Sequence, residues 1–210
     1  MVEKLDVYDL DGKQIAVLGR KKFYLEIRKE FAKTGKISKQ IKSIRCVFMN
    51  SNGRIYLQKR SNLKDENPGL YDKAVGGHVA LGDSFDMTMI KESAEELGFP
   101  VAILPLKDFE KALKVTNLNV IGLFRQVECV NNFESIRRSK DGSFFIQPYI
   151  CAFYIGYYDG AICFVDGESS GIEVFSLSEL KEEIKNNPQK FTEDIKFMVE
   201  KYEKYLKPIK

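Results

Sequence analysis

Gly77-His-Val-Ala-Leu-Gly-Asp83-Ser-Phe-Asp-Met-Thr-Met-Ile-Lys91-Glu92-Ser-Ala-Glu95-Glu96-Leu-Gly98-Phe99 is the most informative stretch of this 210-residue chain. Local chemistry predicts a helix over residues 84–97. Ser84 is a good N-cap, Asp83 and Asp86 put negative charge at the positive end of the dipole, and Gly98 stands where a left-handed C-cap belongs. Met87, Ile90, Ala94 and Leu97 recur at three- and four-residue steps, which predicts an apolar stripe toward the core. At ~100° per residue, Glu92, Glu95 and Glu96 then fall together on the opposite side.

That acidic cluster is badly placed for stability. Carboxylates in the last turns meet the negative end of the dipole, at about 0.3–1 kcal/mol. At i,i+3 and i,i+4 spacing they also repel one another by roughly 0.2–0.5 kcal/mol per pair. Lys91 is the one nearby cation on that surface, whereas a solvated charged face would interleave more lysine. A hard cation among the carboxylates accounts for the pattern. Magnesium takes oxygen ligands and keeps waters or substrate phosphates in its shell.

The segment resembles the Nudix box, G-x5-E-x7-R-E-U-x-E-E-x-G-U, with U a bulky apolar residue. Gly77 and Gly98 match its opening and closing glycines. The resemblance implies that Glu92, Glu95 and Glu96 are the principal metal ligands and catalytic carboxylates, one of them or a glutamate elsewhere acting as general base. Glu173 resembles in position an additional base used by some of these enzymes; a plain loop acid is the alternative. The implied cofactor is Mg2+, with Mn2+ as a substitute. Three positions depart from the pattern. Asp83 replaces the first glutamate, Ser93 stands where a bulky apolar residue belongs, and Lys91 replaces an arginine whose forked ion pair lysine cannot reproduce.

Further segments extend the likeness: Gly53-Arg-Ile-Tyr-Leu-Gln-Lys-Arg60, Lys64 to Asp72, Ala74-Val-Gly-Gly-His-Val79 and Phe191-Thr-Glu-Asp194. They are similar to the isopentenyl-diphosphate-isomerase-like branch, which contains isomerases and diphosphate hydrolases. The isomerases use a cysteine just before this Gly-His, several histidines, and a glutamate on a later strand. Here the cysteine position is Gly76, His78 is the single histidine, and Ile146 to Cys151 carries no acid. Hydrolysis needs only the box and a water, so the expected function is magnesium-dependent cleavage of a nucleoside diphosphate-X or related organic diphosphate. The alternatives are a non-catalytic nucleotide- or diphosphate-binding module, supported by Asp83, Lys91 and Ser93, and the isomerase.

Around the box, Gly76 and Gly77 let a substrate approach the backbone closely. Arg45 and Arg60 are candidate phosphate contacts, since arginine suits bidentate binding; exposed strand-end arginines are the plainer account. His78 is a candidate substrate contact, weighed against a histidine simply hydrogen-bonded at a strand end. No residue identifies X; specificity is expected from residues 62–75 and 131–147.

Net charge is +3 with acids and bases interspersed, so a nucleic-acid polymer or membrane surface is not an expected partner. The partner is a small-molecule diphosphate. No long apolar run or signal-like N-terminus is present, which predicts a cytoplasmic protein. Cys46, Cys129, Cys151 and Cys163 lie far apart in apolar contexts and are expected to be buried free thiols. Tyr157, Tyr158 and the tyrosines of the last helix could serve a homodimer, with core packing the simpler account.

Elsewhere the chain predicts a hairpin over 5–18, a helix over 21–32, and a second hairpin formed by Ser43 to Met49 and Arg54 to Arg60. A short strand follows over 71–79, with another over 101–104 and a helix over 106–114. Strands are expected over 119–130, 144–157 and 161–166, a polar loop over 131–142, and helices over 178–186 and from Ile195 to Leu206. The expected class is α+β, a Nudix-type α/β/α sandwich around a mixed β-sheet with an N-terminal β-hairpin. One domain would span 1–210, with the hairpin and first helix over 1–35, the core over 40–177 and the terminal helices over 178–207.

Overall fold

A computed structural model describes residues 3–162 and 169–210. Strands β1 (Lys4–Asp9) and β2 (Gln14–Gly19) form a hairpin. Its turn needs the positive φ of 88° that Gly12 supplies without steric cost. Helix α1 (Arg20–Thr34) begins where β2 ends and stops at Gly35, whose left-handed φ is 70°.

Strand β3 (Lys39–Met49) is the axis of the molecule. On one edge it runs parallel to β9 (Phe144–Tyr157) in continuous register from Ile41↔Tyr149 to Met49↔Tyr157. Its other edge is shared. Phe48 and Met49 pair with β4 (Ile55–Arg60), while Ser43 to Cys46 pair with β6 (Val75–His78). The two-residue β5 (Tyr71–Asp72) pairs with β4. Strand β7 (Val101–Ile103) runs parallel to β8 (Gly122–Arg138), which is antiparallel to β9. With β10 (Ser169–Phe175), the path through the mixed sheet is β10-β4-β3-β9-β8-β7. This is an α+β fold.

Side chains alternate across a strand, and β3 and β9 use both faces. Ile41, Val47 and Met49 join Tyr149, Cys151, Phe153 and Ile155 in one core. That core is closed by Phe23 and Ile27 of α1, by Leu180 of α4 (Leu177–Asn186), and by Ile195, Met198 and Val199 of α5 (Glu193–Lys201). Ile44, Cys46 and Phe48 face the other way with Ala152 and Tyr154, against Met89 of α2 (Phe85–Glu92) and against Leu97 and Phe99. A short helix α3 (Leu106–Ala112) precedes β8. Tyr157, Tyr158 and Tyr202 are buried, so core packing accounts for them.

Three local expectations are overturned. Residues 131–142 are not a polar loop: β8 passes through a bulge at Asn131 and Asn132 and continues to Arg138, paired with Phe144, before the turn at 139–142. Its hydrogen-bonding partner β9 overrides the polar composition. Glu173 lies in β10, opposite Leu57, rather than in a loop. Cys129 is exposed, whereas Cys46 and Cys151 are buried free thiols. Cys163 and most of the strand expected over 161–166 lie outside the described residues. Among the described residues no helix is long and apolar enough to cross a membrane.

Candidate active site

A cleft of about 420 Å³ opens where β4 and β6 part along β3. One wall is the helix of residues 85–97. Ser84 caps it, its Oγ accepting from the amide of Met87 at 3.0 Å, and Gly98 ends it with φ 73°. The helix is not uniformly α. After Glu92 it widens into a π-turn over Ser93–Leu97, a form that recurs at functional sites.

Of the expected apolar stripe only Leu97 faces the core, while Met87, Ile90 and Ala94 are exposed. Met87 is 46% exposed and Ile90 38%, whereas Met89, Ser93 and Leu97 are fully buried and Glu96 is 7% exposed. Glu92 and Glu96 share the inward side with the buried residues, and with exposed Glu95 they line the cleft. Hydrophobic periodicity alone picked the opposite face, because the inward side carries carboxylates. The small Ser93 fits a fully buried position in this wall, and its hydroxyl has no hydrogen-bond partner.

Glu92 lies against the backbone of Gly77. A Cβ placed there would come within 2.5 Å of its Cδ. Just before the helix, Asp83 accepts from Lys91, whose Nζ reaches both carboxylate oxygens at 2.9 and 2.8 Å. The ion pair therefore forms with one ammonium nitrogen in place of a guanidinium fork.

The other wall is basic. Arg45 is 1% exposed. Its Nε donates to Asp194 Oδ2 at 2.7 Å and its Nη1 to Ser43 Oγ at 2.7 Å, and its guanidinium stacks on the rings of Phe133 and Tyr149. Lys73 donates to both oxygens of Asp72 and lies 3.5 Å from Asp194. Arg60 donates to Asp72 at 3.3 Å and to the carbonyl of Glu66. Arg137 donates to the hydroxyl of Tyr149 at 2.9 Å. Thr192 and Ser135 complete the network by donating to Asp72 and Asp194, each at 2.7 Å. Burial pushes the Asp194 carboxyl up, but Arg45, Lys73 and Arg137 outweigh it and hold the group well below the usual carboxylate range.

His78 ends β6 and lines the same cleft. Its Nε2 is 2.9 Å from the hydroxyl of Tyr24, and its ring stacks on Tyr149. Burial first, then Arg20, Arg137, Arg45 and Lys73, lower its pKa well below the ordinary value, so the imidazole is neutral at pH 7.

The fold thus gathers Glu92, Glu95, Glu96, Gly76, Gly77, His78, Arg45 and Arg60 around one cleft. Glu173 does not line it; its carboxylate accepts from Tyr71 at 3.3 Å. Sequence reasoning missed Lys73, Asp72 and Asp194, and met Arg137 only as part of the polar loop expected over 131–142, open to an anionic ligand but more simply a solvated hairpin loop.

A model of the NUDIX domain family matches residues 39–195. The chain belongs to this family. An uncharacterized Nudix hydrolase of Streptomyces coelicolor is 40% identical over 57 residues, 26% of this chain and 32% of that protein. An uncharacterized Nudix hydrolase of a Nostoc species is 28% identical over 97 residues, 46% of this chain and 53% of that protein. The chain therefore spans a third to about half the length of these curated relatives. The crystal structure of DR0079 from Deinococcus radiodurans superimposes with a TM-score of 0.64 at 17% identity, covering 95% of this chain and 98% of that one. At that identity the likeness is one of fold.

In Nudix terms, the residue after the opening glycine is His78, and the box glutamates follow on the widened helix. Their donor chemistry suits a hard divalent cation. Gly77 also provides the side-chain-free space in which Glu92 rests. As the side chains stand, no group of three or more His, Cys, Asp or Glu among the described residues converges on one metal position.

Proposed function

We propose that this Nudix chain is a magnesium-dependent pyrophosphohydrolase that cleaves a diphosphate joined to a group X, as in nucleoside diphosphate-X compounds and related organic diphosphates. One observation carries the reading: Glu92, Glu95 and Glu96 face guanidinium and ammonium groups across a single cleft. Glu92, Glu95 and Glu96 would hold magnesium, or manganese in its place, and the bound ion would supply Lewis-acid polarisation of the phosphoryl oxygens and a more acidic water.

The chain's own residues do the rest. Glu92, braced against Gly77, or one of its neighbours takes the proton of the attacking water. Arg60, Lys73 and Arg137 offset phosphate charge from the opposite wall, with Arg45 beneath them. Gly76 and Gly77 admit the diphosphate close to the backbone, and neutral His78 can hydrogen-bond a phosphate oxygen without adding charge.

A second reading, a diphosphate-binding module without turnover, draws on Asp83, Lys91 and Ser93 and on the lack of a converged metal-ligand group among the described residues. A panel of nucleoside diphosphate-X compounds, nucleoside triphosphates and prenyl diphosphates with magnesium decides between the two. Phosphate and monophosphate release that disappears in Glu92→Gln and Glu95→Gln supports hydrolysis. Binding with no magnesium-dependent release from any compound, or release unchanged in both variants, refutes it.

A further inference from the structure

Resting on the hydrolase reading, we propose that X itself carries a phosphate and is held by charge on the basic side of the cleft, not by stacking of a base. Strand β6 places the two compartments. It pairs with β3 alone among the described strands, so its other edge is open to the cleft. Successive residues of a strand face opposite sides. Glu92 lies over Gly77 and Lys73 over the preceding Gly76. The acidic and basic groups therefore flank the same two glycines from opposite sides, and a diphosphate seated at the glutamates leaves the basic side for X.

That basic side holds more positive charge than its own carboxylates neutralise. Arg45, Arg60 and Lys73 pair with Asp72 and Asp194, and Arg137 adds a fourth cation to the cleft. Glu66 is the other nearby acid, but it pairs with Arg28 at 2.8 Å and lies 4.0 Å from Arg137. Uncompensated charge away from water is unfavourable, and an anion removes the imbalance. Two N–H groups point the same way: buried Arg45 Nη2 and Arg137 Nε have no acceptor among the described residues, a costly state for guanidinium donors. Recognition of a base ordinarily uses an apolar or aromatic face. Among the residues lining this cleft, Ile44 is the single large apolar side chain, and no Phe, Tyr or Trp is present.

The test compares fructose 1,6-bisphosphate with fructose 6-phosphate, two base-free probes differing by one phosphate, titrated calorimetrically with magnesium present. The bisphosphate is expected to bind at least tenfold more tightly. Arg137→Gln and the more exposed Arg60→Gln should each weaken the bisphosphate more than the monophosphate, narrowing the gap between the two. Equal affinities, no binding of either sugar, or variants that weaken both equally would overturn the proposal. The hydrolase reading fails separately. A bisphosphate preference without magnesium-dependent turnover removes hydrolysis alone, whereas turnover lost in Glu95→Gln without that preference removes only the phosphorylated X.

Discussion

The carboxylate of Glu92 occupies the space that a side chain at Gly77 would fill, with its Cγ 2.7 Å and its Cδ 2.5 Å from the position of a Cβ there. Strand β6 thereby sets the position of a helix glutamate. Gly77→Ala should displace Glu92 and leave the fold standing. A misplacement of ~1 Å at a reacting group costs on the order of 10²-fold in rate. Steady-state kinetics should show that loss mainly in kcat, with little change in melting temperature. A variant with unaltered kcat would mean that Glu92 has no positional role.

Asp194 anchors the basic wall from the first turn of α5. Asp194→Asn leaves Arg45 buried without its counter-charge, which costs about 3–5 kcal/mol, readable by urea unfolding. The pH dependence has a defined sign. The carboxyl is depressed in the folded state, so its stabilisation is present above the unfolded value of about 3.9 and is lost as pH falls below it. Wild-type unfolding curves should steepen in that acid range more than those of the variant.

His78 titrates the other way from a histidine that gains an anionic partner. Its folded pKa is lowered by burial and by surrounding cations, so below ~6.5 the unfolded chain binds a proton that the folded chain refuses. Stability should be full above that pH and fall as pH drops through it, by at most ~1.4 kcal/mol per pH unit. His78→Gln should flatten this limb of the profile between about pH 7 and 5. Identical profiles for the two proteins would show that the imidazole protonates freely in the fold.

The Asp83–Lys91 pair is half-exposed on the lysine side, and exposed pairs contribute roughly 0.2–1 kcal/mol. A double-mutant cycle with Asp83→Asn and Lys91→Gln should give a coupling in that range, shrinking with added salt. A coupling of several kcal/mol would mark the pair as part of a larger network.

Much of this molecule was legible in order of residues. Ser84 and Gly98 delimit the helix by backbone hydrogen bonding, Gly12 and Gly35 supply left-handed turns, and β-branched and aromatic runs mark β3, β4 and β9. The spacing of Glu92, Glu95 and Glu96 pointed to a bound cation because carboxylates gathered at a helix C-terminus are unfavourable without one. The resemblance of the whole segment to the Nudix pattern named the box. Periodicity failed at Met87 and Ile90, which face solvent, while Glu92 and Glu96 face the cleft.

The sequence by itself determined most of the local elements, the class of fold and the gathering of Glu92, Glu95 and Glu96 on one helix, which follow from residues close together along the chain. Tertiary structure decided how the basic half is assembled, for which the sequence offered Arg45 and Arg60 only as candidates. Arg45 and Asp194 are 149 positions apart, and Arg60, Lys73, Arg137 and Thr192 meet them only because β3 pairs with β6 and β9 while α5 packs across that face. Such contacts depend on strand order and register, and they leave no periodic trace in the chain.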